Sequence, residues 1–215
     1  MIMGARVPGT GWTVFVAGVS ALPTEVPDGA VFLRQVHGSR VLNSPEPFSE
    51  GDGMVFPADG GRFPGVLTAD CLPVFALWPG RVGCAHAGWR GLAGGVVESL
   101  LKDEYGLPDA VVLGPCICPG CYRVGEEVSR LARGKGHPRG RFDLKLEAVS
   151  RMAPETRVFN LDYCTLCDPG FHSYRRNAAT LRNRVWLAPD RMRHDILQLE
   201  PITADPHEKP GRMHA

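Results

Sequence analysis

Residues 81–105 read RVGCAHAGWRGLAGGVVESLLKDEY, and they contain the change from strand to helix on which the fold prediction depends. The apolar run Arg81–Ala85 predicts a short strand, and the glycine-containing segment 86–91 predicts a turn. Apolar residues then recur at helical spacing, at Val96, Val97, Leu100 and Leu101. This pattern predicts a helix over 92–105, with Gly106 as its stop.

Short apolar runs separated by turns lie on both sides of this segment. Strands are predicted over 12–19, 31–36, 54–56, 66–68, 74–78, 110–113, 157–161 and 185–188, with 40–43 as a hairpin partner of 31–36. Further helices are predicted over 126–132 and 144–152. Strands mixed with helices of unequal length, without a regular strand–helix repeat, are typical of an α+β fold in which mixed sheets pack against helices.

The composition indicates one globular domain. The chain has 215 residues, 44% hydrophobic, and a net charge of +1. We expect a single domain over 1–215, with an ordered core over about 12–200 and a loose tail from His207. The near-neutral charge argues against nucleic-acid binding, and no apolar run reaches the ~18 residues of a membrane span. Without a signal segment, a cytoplasmic monomer or homodimer with reduced cysteines is expected.

Three potential metal ligands follow predicted strands: His37, Cys71 and His86. A strand end exposes its side chain at the rim of a sheet, where loops form binding sites. Two imidazoles and a thiolate are ligands that zinc prefers, and three protein ligands leave a fourth position for water or substrate, as in catalytic zinc sites. From the residues alone, the alternative remains that Cys71 is a small core residue and that the histidines are ordinary turn residues.

A second group of cysteines consists of the pairs Cys118/Cys121 and Cys164/Cys167, each with the C-x-x-C spacing of a zinc knuckle. A four-cysteine structural zinc site is therefore one interpretation. The 42 residues between the pairs exceed the usual spacing of such sites, so buried thiols with one redox pair are the other interpretation. No role is assigned to Cys116.

Two arginine-containing segments could bind an anion. Arg175 and Arg176 follow Ser173 and Tyr174 in a donor-rich run that suits phosphate or carboxylate. Arg90 precedes the predicted helix, whose N-terminal N–H groups also favour an anion. A solvated helix start is the alternative interpretation of both segments.

Several common catalytic motifs do not occur in the sequence. It contains no Gly-x-x-x-x-Gly-Lys-Ser/Thr phosphate loop, no Gly-x-Gly-x-x-Gly fingerprint and no Gly-x-Ser-x-Gly elbow. His86 is followed by Ala-Gly, so the His-x-Glu signature of zinc nucleobase deaminases is absent.

Two segments are highly specific, Leu67-Thr-Ala-Asp-Cys-Leu-Pro73 and Ala85-His-Ala-Gly-Trp-Arg-Gly91. With further segments at 34–38, 51–53, 113–117, 121–125 and 173–176, they occur in an order that resembles the laccase-domain, YfiH-type family over 12–188. The resemblance implies one α+β domain built as a layered sandwich. It also implies that His37, Cys71 and His86 are the ligands of a zinc-type site.

The activity that the resemblance implies is purine nucleoside phosphorolysis, with adenosine, inosine, guanosine and methylthioadenosine as substrates and adenosine deamination alongside. Zinc would activate water for deamination, and arginines would hold phosphate. We expect catalytic roles for Asp70 and Arg176 and substrate-binding roles for Gln35, Arg90 and Arg175. Asp70 would transfer a proton or orient a ligand imidazole, and a strand-end turn carboxylate is the alternative.

Members of the same family have also been called polyphenol oxidases or laccases, so a copper-dependent oxidoreductase is the alternative function. Laccase chemistry needs several coppers and about ten histidines, whereas this chain has seven and no His-x-His. One mononuclear site is therefore expected, with copper only as an in vitro replacement for zinc. A non-catalytic zinc-binding module is a third possibility, against which the open ligand position argues.

Three residues depart from the family pattern. Arg123, Asn177 and Leu181 stand where the family usually has Glu, Asp and Gly. These departures lie in the later motifs, so they affect the prediction of substrate preference more than the prediction of metal binding.

Overall fold

Two mixed β-sheets pack face to face, and helices cover the outer face of one of them. The computed structural model describes residues 2–21, 26–131 and 136–190. The strands are β1 (Ile2–Val7), β2 (Trp12–Ala17), β3 (Ala30–Phe32), β4 (Val41–Asn43), β5 (Gly53–Pro57), β6 (Phe63–Thr68), β7 (Leu72–Trp78), β8 (Arg81–Ala87), β9 (Ala110–Leu113), β10 (Val158–Asn160) and β11 (Asn183–Pro189). The helices are α1 (Trp89–Ala93), α2 (Val96–Leu100), α3 (Glu126–Ser129), α4 (Leu144–Val149) and α5 (Tyr174–Asn177), with a 3-10 helix over Asp103–Tyr105.

Each sheet combines parallel and antiparallel pairs. The five-stranded sheet has the order β1-β2-β11-β6-β3, and the six-stranded sheet has the order β10-β9-β7-β8-β5-β4. The pairs β3/β6, β4/β5 and β9/β10 are parallel, and the other pairs are antiparallel. Because parallel neighbours run in the same direction, the loops that follow β9 and β10 begin at the same end of the two strands.

Apolar side chains fill the spaces between the layers. Alternate residues of the five-stranded sheet face the six-stranded sheet, and this core includes Val14, Val16, Val185, Leu187, Phe75, Val82 and Val112. On the other face of the six-stranded sheet, the helices bury Leu92, Val96, Val97 and Leu100. Strand β7 is buried along its whole length because it has a neighbouring strand on each side and a layer on each face.

The predicted α+β class, a single domain with mixed sheets, is confirmed. Strand β9 has the predicted bounds, and most other predicted strands are present with bounds that differ by a few residues. Strand β1 precedes the predicted start of the core at residue 12 and pairs antiparallel with β2. The tail from His207, and the core predicted over 191–200, lie outside the described residues.

The predicted hairpin between 31–36 and 40–43 is wrong. Strand β3 pairs with β6 in one sheet, whereas β4 pairs with β5 in the other. The segment between them does not turn back, because the Asp52 carboxylate accepts hydrogen bonds from the backbone N–H groups of residues 36–38 and holds them as a loop. This loop connects the two sheets, and it places His37 at one end of the six-stranded sheet.

The helix predicted over 92–105 is divided into α1, α2 and the 3-10 helix. Gly94 ends α1, and Gly95 has a φ of 86°, a left-handed conformation that a continuous helix cannot contain. The helices predicted over 126–132 and 144–152 end earlier, at Ser129 and Val149. Within the described residues, no helix is long and apolar enough to cross a membrane.

Candidate metal centre

The structure brings the three predicted metal ligands together at one end of the six-stranded sheet. Cys71 directly precedes β7 and His86 lies near the end of β8. The antiparallel register places Pro73 opposite His86, so Cys71 and His86 lie at the same end of this strand pair. The loop after β3 brings His37 against them, with the two imidazole rings edge to face and their centroids 4.8 Å apart. The ligand atoms of all three residues lie within 4.8 Å of one another.

Asp52 orients both histidines, although it was not among the predicted site residues. One carboxylate oxygen lies 2.9 Å from Nδ1 of His86, and the same carboxylate accepts the backbone N–H of His37 at 2.8 Å. A carboxylate only accepts, so Nδ1 of His86 carries a proton, and Nε2 is the nitrogen that can donate its lone pair to a metal. A metal-ligating histidine is typically held in this way by a neighbouring carboxylate.

The backbone around the ligands is unusually tight. His37 and Asp70 have φ values of 62° and 91°, in the left-handed region that non-glycine residues rarely adopt. A Cβ on Gly88 would lie 3.0 Å from Cys71 Sγ, and a Cβ on Gly91 would lie 2.9 Å from the carbonyl oxygen of Gly38. The glycines of the 86–91 segment therefore allow the chain to pass directly against the ligands.

The pKa shifts favour the metal-binding thiolate form of Cys71, whereas they favour the imidazolium form of His86, whose Nε2 proton a bound metal ion would displace. Burial alone would raise the pKa of the Cys71 thiol, but the imidazoles of His86 and His37 outweigh burial and lower this pKa to about 6. Burial lowers the pKa of His86, but the Cys71 thiolate and Asp52 outweigh it and raise this pKa to about 9. Burial also opposes ionisation of Asp52, yet hydrogen bonds from His86 and Gly38 hold its pKa below the usual value.

These observations fit a transition-metal ion with two nitrogen ligands and one sulfur ligand. Zinc at ~2.0–2.3 Å from each ligand would separate the ligand atoms by about 3.3–3.6 Å, which is within the 4.8 Å limit on the distances in the cluster. His86 is buried, whereas His37 is exposed, so the centre opens to solvent on the His37 side. Three protein ligands leave one tetrahedral position for water or substrate.

Asp70 is buried next to Cys71, and it contacts two loops and helix α5. Its carboxylate accepts a hydrogen bond from Thr165 Oγ1 at 2.7 Å and another from the backbone N–H of Arg175 at 2.7 Å. Its carbonyl oxygen accepts the backbone N–H of Ile117 at 3.0 Å. The orientation of a ligand imidazole, one of the roles predicted for Asp70, belongs to Asp52 in this structure.

An open groove of about 300 Å³ lies beside the centre, lined by Trp89, Tyr122, Arg123, Val124, Gly125, Glu127, Val128 and Arg175. The guanidinium of Arg175 stacks on the ring of Tyr122 at 5.0 Å, and that of Arg90 stacks on Trp89 at 4.4 Å. Burial raises the pKa of Tyr122 to about 12, with Cys71 and Asp70 acting in the same direction and Arg175 and Arg90 opposing them. The four charged groups therefore all lie close enough to the Tyr122 hydroxyl to change its pKa.

Two other predicted site residues are held by backbone groups. The guanidinium of Arg176 donates to the carbonyl oxygens of Thr165, Leu166, Asp168 and Phe171 at 2.6–3.3 Å. The side-chain amide of Gln35 donates to the carbonyl oxygen of Leu67 at 2.8 Å and accepts the Leu67 N–H at 2.8 Å. Both side chains therefore fix loops around the centre, and the predictions that they contact substrate stay predictions.

Sequence reasoning missed Asp52 and Tyr122 as members of the site. In the sequence analysis, Asp52 and Tyr122 occur only as members of the segments 51–53 and 121–125. Both lie in segments that carried the family resemblance, which was the one available signal. An aspartate between two glycines otherwise has the appearance of an ordinary turn residue.

The fold places a candidate His–Cys–His metal site beside an arginine-containing groove. A family model described as "Multi-copper polyphenol oxidoreductase laccase" matches residues 19–186. The chain belongs to this family, and the predicted resemblance to YfiH-type proteins is confirmed.

Relatives of known name are similar over most of the chain. A purine nucleoside phosphorylase of Pseudomonas aeruginosa is 37% identical over 183 residues, which are 73% of this chain and 73% of the relative. A purine nucleoside phosphorylase of Deinococcus radiodurans is 35% identical over 171 residues, 72% of this chain and 67% of the relative. A protein named adenosine deaminase RL5, from an unknown prokaryotic organism, is 27% identical over 184 residues, 69% of this chain and 70% of the relative.

Solved structures have the same fold. A DUF152-family protein of Neisseria meningitidis superimposes with a TM-score of 0.71 at 26% identity, over 88% of this chain and 99% of that chain. YlmD of Geobacillus stearothermophilus superimposes with a TM-score of 0.64 at 26% identity, over 75% of this chain and 74% of that chain. The names of the relatives indicate an enzyme of purine metabolism.

Proposed function

We propose that this protein is a zinc-dependent purine nucleoside phosphorylase that accepts adenosine, inosine, guanosine and methylthioadenosine and also deaminates adenosine. The observation that carries the proposal is the His37–Cys71–His86 centre beside a groove that holds Arg175. The names of the relatives support both the phosphorylase and the deaminase reaction. A metal site next to a cationic groove suits a reaction between a nucleoside and phosphate.

In the proposed phosphorolysis, the metal centre and the groove have different roles. Phosphate attacks C1′ of the ribose, the bond from C1′ to the purine nitrogen breaks, and the purine leaves with the bonding electron pair. His37, Cys71 and His86 would hold zinc, which would supply Lewis-acid chemistry and would activate water for the deamination reaction. In this proposal, His37, Cys71 and His86 hold the ion, and Asp52 keeps the lone pair of His86 directed at it.

The anion site of the proposal consists of Arg90 and Arg175. Arg175 lines the groove, and both side chains are exposed, with each guanidinium carbon over an aromatic ring. Arg175 Nη1 donates to the carbonyl oxygen of Arg123 at 3.0 Å, which restricts the side chain and leaves its other N–H groups for phosphate oxygens. Tyr122 lies beneath Arg175 with a raised pKa, so its hydroxyl stays protonated at neutral pH and can donate a hydrogen bond.

Asp70 and Arg176 act as positioning residues in this proposal. Asp70 binds the backbone N–H of Arg175 and therefore fixes where α5 begins relative to Cys71. Arg176 binds carbonyl groups of the loop that contains Thr165. The two residues together connect the metal centre to the arginine that faces the groove.

The description of the matched family favours copper-dependent polyphenol oxidation as the second candidate function. Reduction of dioxygen to water takes four electrons, which laccases collect on several coppers. The described residues contain one histidine-containing cluster, with three ligands, and the other potential metal cluster consists of cysteines alone. A single site of this kind favours the nucleoside reactions over a multicopper oxidase.

Arg175→Ala is expected to raise the KM for phosphate by about 10–100-fold, since a charge-assisted hydrogen bond contributes roughly 1.5–3 kcal/mol. The measurement is adenine release from adenosine at varied phosphate concentration. Arg130→Ala is the matched control, because Arg130 is exposed, pairs with Glu126 and does not line the groove. An unchanged phosphate KM in Arg175→Ala, together with a raised KM in Arg176→Ala, would assign the anion site to Arg176 instead.

A further inference from the structure

The two C-x-x-C pairs, 42 residues apart in sequence, meet in the folded chain. The sulfur atoms of Cys118, Cys121, Cys164 and Cys167 all lie within 4.8 Å of one another, and those of Cys121 and Cys167 are 3.3 Å apart. All four cysteines are free thiols in the structure, since a disulfide bond would need a sulfur–sulfur distance of ~2.05 Å. This four-cysteine cluster shares no residue with the His37–Cys71–His86 centre.

The sheet explains why the pairs meet. Strands β9 and β10 are parallel neighbours, and their pairing continues as an isolated bridge between Cys116 and Cys164. The loop after each strand then forms a tight turn that contains one C-x-x-C pair. In one turn the N–H of Cys121 donates to the carbonyl oxygen of Cys118 at 2.9 Å, and in the other the N–H of Asp168 donates to that of Cys164 at 3.0 Å.

The backbone also stabilises thiolate sulfur in this cluster. The N–H of Cys118 donates to Cys164 Sγ at 3.3 Å, and the N–H groups of Leu166 and Cys167 face the same sulfur. Hydrogen bonds of this kind surround metal ligands and tune their charge. Four thiolates this close would repel one another strongly without a cation between them.

Positive charge lies around the cluster. The Arg141 guanidinium donates to the carbonyl oxygens of Pro119 and Gly120, between the cysteines of the first pair. The Arg176 guanidinium donates to the carbonyl oxygen of Leu166, between the cysteines of the second pair, at 2.8 Å. A zinc ion with four thiolate ligands carries a net charge of about −2, which these guanidinium groups would partly balance.

We propose that Cys118, Cys121, Cys164 and Cys167 bind a structural zinc ion that ties the loop after β9 to the loop after β10. Four thiolates in tetrahedral array leave no open position, so this site has a structural and not a catalytic role. The first loop carries Tyr122, and the second carries Thr165, which bonds Asp70. The ion thereby fixes the positions of these two loops relative to the His37–Cys71–His86 centre, whatever reaction takes place there.

The test is the zinc content of protein purified under reducing conditions, measured by elemental analysis for each variant. We expect two zinc ions per chain in the unaltered protein. One ion should remain in Cys164→Ser and in Cys167→Ser, and one in Cys71→Ala. Because Cys167 is exposed, its substitution has little effect on packing and serves if Cys164→Ser fails to fold. Cys116→Ala, which removes a buried thiol outside both clusters, should keep two.

X-ray absorption at the zinc edge distinguishes the two sites without reference to activity. In Cys71→Ala the remaining zinc should have sulfur neighbours only, at ~2.3 Å, whereas in Cys167→Ser the remaining zinc should have mostly nitrogen or oxygen neighbours. Two zinc ions in both cysteine variants of the cluster would overturn the proposal. So would a stoichiometric disulfide between these cysteines in the freshly purified protein, or iron in place of zinc.

Discussion

Cys71→Ala protein is expected to lose the metal of the His37–Cys71–His86 centre and at least about 100-fold of its nucleoside-cleaving activity, because the centre has only three protein ligands. Cys71 is the only anionic ligand of the three. Two imidazoles alone would bind the metal more weakly, because neither carries a negative charge that offsets the charge of the cation. Zinc content and the rate of adenine release from adenosine are the two measurements. Cys116→Ala is the control, since it removes a buried thiol that belongs to neither metal cluster.

A graded companion to this experiment is Asp52→Asn. The amide keeps the size of the side chain but cannot accept from His86 and from three backbone N–H groups as a carboxylate does. We expect zinc affinity to fall by about 10–100-fold, less than for Cys71→Ala, because the ligands themselves remain. Full zinc occupancy and full activity in Cys71→Ala would show that these residues are not the metal ligands.

Glu147→Ala is expected to lower the free energy of unfolding by about 3–5 kcal/mol, because the change leaves a buried positive charge without its principal partner. Glu147 and Arg151 have side chains that are 0% and 1% exposed, and they lie 2.5 Å apart. His137 Nε2 also contacts the Glu147 carboxylate at 3.1 Å, and Glu98 binds Arg151 from the exposed side at 2.9 Å. The remaining Glu98 contact compensates only partly, since that side chain is 39% exposed.

The measurement is urea-induced unfolding of the zinc-loaded protein. Glu104→Ala provides the matched control, because Glu104 is 61% exposed and contacts Lys102 only at 3.8 Å. The control should change the free energy of unfolding by less than about 0.5 kcal/mol. If both variants unfold at the same urea concentration, the buried ion pair does not contribute as described.

The parts of the fold that could be predicted from sequence are those with local signals. Most strands could be located from apolar runs between turns, because a buried strand is a short apolar segment whichever strand it pairs with. The three candidate metal ligands could be named because each lies at the end of such a run and within a specific motif. The left-handed Gly95 that divides the predicted helix over 92–105 was present in the sequence as Gly94-Gly95, but a glycine pair alone does not fix where a helix ends.

The parts that could not be predicted depend on contacts between distant segments. Strands β3 and β4 are close in sequence but belong to different sheets, and only the contact of the intervening loop with Asp52 shows why. The two C-x-x-C pairs are separated by 42 residues, more than the usual spacing within one metal site. The parallel pairing of β9 and β10 brings them together, and nothing in either loop specifies that pairing. Likewise, Asp52 reaches His86 through the register of β5 with β8.

Adenine release by protein that has been stripped of metal and reloaded with zinc, assayed with and without phosphate, tests the central claim most directly. We predict release of adenine and ribose 1-phosphate only when both zinc and phosphate are present. Formation of inosine should continue without phosphate, because water is then the nucleophile. The same preparation reloaded with copper should oxidise phenols only slowly. Adenine release at full rate without phosphate, or robust phenol oxidation by the zinc form without nucleoside turnover, would contradict the proposed function.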